Sequence, residues 1–144
     1  MCAAEYGRRW RVSRGLDNNN PGNIRRSKVR YKGERVPSSD PEFRQFESVE
    51  WGYRAIFMLL YTYHLRHGCR TLRQMIDRYA PPSENPTSAY LRFVAERSGI
   101  DPDYVIDVTN GRLMVDIVCA ISQFENGQPA DRKAVLRGWE LFRE

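Results

Sequence analysis

The apolar positions of this chain change period at Ser48. Downstream of it, Val49, Tyr53, Ile56, Phe57, Leu60 and Tyr63 recur at three- and four-residue steps, which places them on one face of a helix. Ser48 stands where an N-cap belongs and Gly68 where a C-cap belongs, so this is predicted to be the longest helix. A second helix is expected after Thr71, carrying Leu72, Met75, Ile76 and Tyr79 and stopped by Pro81-Pro82. A third follows Thr87, with Tyr90, Phe93 and Val94, and ends at Gly99. Asn110 is placed to cap a fourth, in which Leu113, Ile117, Val118, Ile121 and Phe124 form the stripe and Asn126-Gly127 the stop. Pro129 or Asp131 opens a fifth, with Val135, Leu136, Trp139 and Phe142.

Upstream of Ser48 the helical period is absent. Residues 14–48 are rich in Gly, Pro, Asn and Ser, with a short alternating stretch, VRYKGERV, in which Lys32-Gly33 is predicted to turn a hairpin. This segment reads as a small β-rich lobe with loops, and residues 1–13 as a loosely held tail. Five amphipathic helices and a β-rich insert give a mainly α (α+β) class, without the strand and helix alternation of a parallel sheet. A chain of 144 residues is sized for one domain.

Composition adds limits. Hydrophobic residues make up 41% and aromatics 12%, yet no apolar run reaches the roughly 18 residues of a membrane span. The first residues are basic with no apolar stretch behind them, so neither a secretory signal nor an anchor is expected. Cys2, Cys69 and Cys119 lack metal-type spacing and are odd in number, which argues against a zinc site and a disulfide framework; Cys119 reads as core packing. No phosphate-binding loop is present, and no cofactor or metal is expected. The net charge of +5 suits a polyanionic partner, and the surplus is dense in the first third of the chain. That partner is either the bacterial cell wall or nucleic acid, unless the surface is simply solvated. Nucleic acid is disfavoured because no reading helix carries the charge.

The candidate chemistry centres on Glu125, in the phrase AISQFENG at the end of the fourth predicted helix. Burial beside Phe124 and the negative end of the helix dipole both disfavour a charged carboxylate and raise its pKa. Cleavage of a glycosidic bond needs such a proton for the leaving oxygen. The alternative is a solvated Glu in a fraying last turn. The string NNNPGNIR must form a tight polar loop, with Pro21 fixing φ and Gly22 free to turn. Its Asn side chains suit sugar hydroxyl and acetamido groups, or serve the turn itself. His64 and His67 have no partner at ligand spacing and read as surface or cap residues. A second carboxylate, if the reaction uses one, is sought among Glu34, Asp40 and Glu42.

The run from RGLDNNNPGNIR through FRQFESVEWGYRAIFMLL to IDRYAPPSENPTSAYLRFVAERSGIDPD resembles a group of bacteriophage virion-associated and prophage proteins regarded as lysozyme-like. It is also similar, more distantly, to autolysin-type and flagellar-rod-type glucosaminidases and to lytic transglycosylases. The resemblance implies a lysozyme-like helical domain with a β-hairpin lobe that cleaves the glycan strands of peptidoglycan, with Glu125 as general acid/base. It further implies glycan contacts from Asn20, Asn23, Arg25, Tyr79 and Tyr90; read from the residues, the two tyrosines fit equally as core aromatics. In the glucosaminidases the helix ending in the catalytic Glu precedes the Asn-rich turn. Here the comparable segment, VDIVCAISQFENG, follows it, so a circularly permuted order is expected, with Glu125 opening into a groove shared with Asn20, Asn23 and Tyr79. Such a protein would reside in a phage virion or the bacterial cytoplasm and reach the wall by other means. The alternative is a virion or wall-binding protein that keeps the fold without catalysis.

Overall fold

The computed structural model describes residues 13–82 and 86–144. The expected tail, apart from Ser13, and Ser83 to Asn85 of the loop between Tyr79 and Tyr90 lie outside the described residues. The elements are α1 (Arg14–Asp17), β1 (Glu34–Arg35), β2 (Gln45–Phe46), α2 (Val49–His67), α3 (Leu72–Tyr79), α4 (Thr87–Ser98), α5 (Gly111–Asn126) and α6 (Arg132–Arg143). The described chain is therefore mainly helical with one small antiparallel sheet, and the five predicted helices are α2 to α6. The single turn of α1 was not expected, because RGLD carries no apolar period; the Ser13 hydroxyl caps it by accepting from the Leu16 amide.

Most predicted helix boundaries are held by the side chains expected of them. Thr71 and Gln74 form a reciprocal capping box on α3, and Asn110 accepts from the Leu113 amide at the start of α5. Asp131, rather than Pro129, caps α6 by accepting from the amides of Lys133 and Ala134. Two boundaries differ. Ser48 occupies the N-cap position of α2 without a side-chain cap bond, and Pro86 is the N-cap of α4, with Thr87 its first residue. The Thr87 hydroxyl instead donates to the Ala80 carbonyl at 2.6 Å, tying the start of α4 to the end of α3.

The core gathers on α2, whose Tyr53, Ala55, Ile56, Phe57 and Leu60 are almost wholly buried. Each such large side chain contributes about 1.5–3 kcal/mol of transfer free energy. Helix α6 lies along α2, closely enough at Gly138 that an added Cβ would stand 2.6 Å from the Tyr53 Cβ. Helix α5 supplies Val115, Ile117, Val118 and Ile121 to the same core. Its most extensive neighbour is α4, and it meets α2 more narrowly, with Tyr53 Oη and Ser122 Oγ 2.9 Å apart.

The hairpin differs from the one expected. Lys32-Gly33 does turn the chain, with the Glu34 amide donating to the Tyr31 carbonyl, but β1 pairs with β2, in the register Glu34 to Phe46 and Arg35 to Gln45, rather than with residues before the turn. The reason lies in Arg44, whose guanidinium donates to the Val29 carbonyl at 2.7 Å, where a second strand would otherwise pair. The same guanidinium reaches Glu34 at 2.6 Å and lies over the Tyr31 ring. A buried ion pair thus organises the lobe.

Candidate active site

The NNNPGN turn is built by its own amides. Asn19 and Asn23 both adopt positive φ, 53° and 49°, a region that Asn enters at less cost than most residues. Asn18 donates to Asp40 and accepts from Gln45; Asn19 donates to the Phe46 carbonyl. Asn20 is fully buried, donates to the carbonyls of Ile24 and Arg44, and accepts from the Ile24 amide. Asn19 and Asn20 therefore satisfy backbone groups of the lobe, and Asn18 braces the turn through the side chains of Asp40 and Gln45.

The turn sits on α2 with almost no clearance: a Cβ at Gly52 would lie 2.1 Å from the Asn19 carbonyl oxygen and 2.6 Å from Pro21 Cδ. Two further bonds clamp it. Tyr79 donates its hydroxyl to the Gly22 carbonyl at 2.6 Å, and Asn126 donates to the Pro21 carbonyl at 2.8 Å. Asn126 also receives the Ser13 hydroxyl, so the residue after Glu125 joins the end of α5 to both ends of the α1-turn segment.

These contacts bring Asn23 to Glu125 across 102 positions of sequence, with the amide donating to Oε1 at 2.8 Å. On the other side the Tyr90 hydroxyl donates to Oε2 at 2.8 Å. Burial pushes the carboxyl pKa up from 4.5, and the bonds from Asn23 and Tyr90, which favour the ionised form, oppose it without cancelling it. The direction is the one expected from the sequence, and desolvation is its main cause. Burial likewise pushes the Tyr79 and Tyr90 hydroxyls well above 10.0, so both are protonated donors at neutral pH.

Glu125 opens into a cleft of about 400 Å³ whose wall includes Gly22, Asn23, Arg25, Tyr31, Phe43 and Tyr79. Of the residues expected there, Asn23, Arg25 and Tyr79 line it. Asn20 does not, because its whole amide is spent inside the turn. Tyr90 is 1% exposed and packs its ring on Phe124, with centroids 4.1 Å apart; only its hydroxyl reaches the acid. It is a core aromatic that addresses Glu125 from within. Of the three candidate second carboxylates, Glu34 is bound to Arg44, and Asp40 is held by Arg14, Asn18 and the amides of Glu42 and Phe43. The Arg14 bond foremost keeps the Asp40 carboxyl far below the usual carboxylate range. Glu42 is exposed beside Arg14 and Arg25.

Several residues of the site were not expected. Arg44, Tyr31 and Phe43 line the cleft, and Asn126 was read only as part of a helix stop. Among the described residues no cluster of three metal-type ligands exists, and no helix is long and apolar enough to cross a membrane. His64 and His67 stand at the end of α2, where His64 Nδ1 lies 3.2 Å from the Cys69 carbonyl.

No known family profile matches the chain. A phage protein does: "Protein P5" of Pseudoalteromonas phage PM2 is 33% identical over 133 residues, spanning 90% of this chain and 81% of that protein.

Proposed function

The chain belongs to the same family as Protein P5 of Pseudoalteromonas phage PM2; from the geometry of its cleft we propose that it cleaves the glycan strands of peptidoglycan, with Glu125 as the general acid. The observation that carries the reading is the paired environment of that carboxyl: partly buried, raised in pKa, and oriented by Asn23 and Tyr90 at the wall of an open cleft. A general acid must be protonated near neutral pH and aimed at the leaving oxygen. Burial serves the first requirement and the two fixed donors serve the second.

In this reading the domain is lysozyme-like with permuted order, α5 standing in for a helix that elsewhere precedes the Asn-rich turn. The glycan lies against Asn23, Arg25 and Tyr79. Glu34 and Asp40 are committed to arginines inside the lobe, which favours chemistry with one acid/base. The transglycosylase route has that property: Glu125 protonates the leaving oxygen, then takes the proton of the sugar's own 6-hydroxyl as it closes on the anomeric carbon. Both atoms and charge balance without a second carboxylate. Mass spectrometry of digested peptidoglycan tests this, since anhydro ends mark ring closure and reducing ends mark hydrolysis. Release of neither type would remove the enzyme reading.

One observation favours the second reading, a virion or wall-binding protein without catalysis. Both oxygens of Glu125 already hold a hydrogen bond, which is also what a structural carboxylate requires. That reading predicts wall binding with no new glycan ends.

A further inference from the structure

A row of uncommitted cations follows one rim of the Glu125 cleft. Ser27 and Tyr31 line the cleft, and consecutive Cα atoms are only about 3.8 Å apart. Lys28, which follows Ser27, and Arg30 and Lys32, which flank Tyr31, therefore stand within one residue of its wall. All three are exposed, and among the described residues none of the three side chains has a hydrogen bond, ion pair or ring contact.

Other exposed cations, Arg66, Arg92, Arg112 and Lys133 among them, lie outside the lining of this cleft, and several more are held in ion pairs. Arg14 is bound to Asp40, Arg44 to Glu34, Arg73 to Asp103 and Arg132 to Asp116. Glu34 and Asp40 of the lobe are spent on those partners, and Glu42 lies between Arg14 and Arg25. Glu47, whose amide donates to the Gly33 carbonyl, is exposed, but among the described residues no carboxylate forms an ion pair with the rim cations. Exposed charges of one sign beside a cleft raise the local concentration of oppositely charged ligand.

We propose that this rim recognises the carboxylates of peptidoglycan stem peptides, so that the substrate is peptide-bearing glycan rather than the bare sugar chain. The proposal rests on the function proposed above and names the part of the substrate that the cations address. Sugar rings offer hydroxyl and acetamido groups, which suit Asn23 and Tyr79, whereas three ammonium and guanidinium groups require anions. In peptidoglycan the peptides supply them at regular intervals along the strand. Each exposed pair is individually weak, roughly two- to fivefold in affinity, and screened by salt. Several together give a preference that can be measured.

The test is binding of the Glu125→Gln protein, which leaves strands uncut, to soluble glycan strands with stem peptides and to the same strands after an amidase has removed the peptides and the lactyl carboxylates so exposed have been capped as neutral methylamides. The expected result is about tenfold tighter binding to peptide-bearing strands at low salt, a preference lost at about 0.5 M salt. The combined variant Lys28→Gln, Arg30→Gln, Lys32→Gln should lose it too, while a Lys28→Arg, Lys32→Arg variant keeps it and shows that charge is what matters. All the altered side chains are exposed, and an unchanged thermal midpoint confirms that the variants fold. Equal affinity for both strand types, or a neutralised variant that still prefers peptide-bearing strands, would overturn the proposal. So would duplex DNA displacing the strands at lower concentration than peptide-bearing glycan, which would assign the rim to nucleic acid. Absence of glycan cleavage by the unaltered protein would refute the catalytic reading alone, because strand preference is read from binding.

Discussion

Replacing Gly52 by Ala sets two effects of opposite sign against each other. Inside a helix, Gly to Ala ordinarily stabilises by about 0.5–1 kcal/mol, because the backbone loses less freedom on folding. Here the new Cβ would meet the Asn19 carbonyl oxygen at 2.1 Å and Pro21 Cδ at 2.6 Å. Reaching ordinary contact needs a separation of roughly 1 Å between α2 and the turn. That turn is clamped by bonds from Tyr79 to Gly22 at 2.6 Å, Asn126 to Pro21 at 2.8 Å and Asn19 to Phe46 at 3.0 Å. A shift of that size takes all three beyond hydrogen-bond range, and each contributes about 0.5–1.5 kcal/mol. Loss of the three outweighs the propensity gain, leaving a net destabilisation of about 0.5–4 kcal/mol. For a domain of this size that lowers the thermal midpoint by roughly 2–12 °C, measurable by circular dichroism or calorimetry. Lysis should fall as well, because Asn23 moves with the turn. An unchanged or raised midpoint would refute the claim that the turn is seated on α2.

Three further outcomes follow from the same geometry. Tyr90→Phe keeps the ring on Phe124 but removes a donor that favours the ionised carboxylate, so the Glu125 pKa should rise further in a carbon-13 NMR titration; a fall or no change would contradict the bond. Because the folded-state pKa of Glu125 is raised, ionising it costs stability as pH climbs from about 4.5 through the raised value. Glu125→Gln should therefore gain on the unaltered protein across that window in urea unfolding, and a gap that shrinks with rising pH would be wrong. Asp40 has the opposite sign: its pKa is depressed chiefly by Arg14, so its contribution is present above about 3.8 and lost as pH falls below it. Asp40→Asn should be less stable than the unaltered protein at neutral pH and should approach it in acid, which pH-resolved unfolding curves would show.

The helices were legible because each carries its own signals locally. Thr71 with Gln74, Asn110, Asp131 and the terminal glycines all lie within a few residues of the ends they define, and the apolar stripes run between them. Glu125 was legible for the same reason, as a carboxylate after Phe124 at a helix end. The lobe was not. Arg44 gives no local sign that its guanidinium will take the place of a strand beside Val29, and so VRYKGERV read as a hairpin. The Asn-rich turn announced its tightness but not the division of labour within it. Asn20 and Asn23 are the same residue type three positions apart, and only the partners, Ile24 and Arg44 for one and Glu125 for the other, separate a brace from a site residue. Tyr90 fitted either a core or a cleft reading, and it serves both, because its ring and its hydroxyl end in different surroundings.

The central claim is that Glu125 delivers a proton to the glycosidic oxygen. Its most direct test is glycan release from purified peptidoglycan by the unaltered protein and by Glu125→Gln, at matched concentration and with folding checked by circular dichroism. Loss of a general acid predicts a drop in rate of at least about 10²-fold, with the variant still bound to the wall. Release by the variant at within about twofold of the unaltered rate would contradict the account.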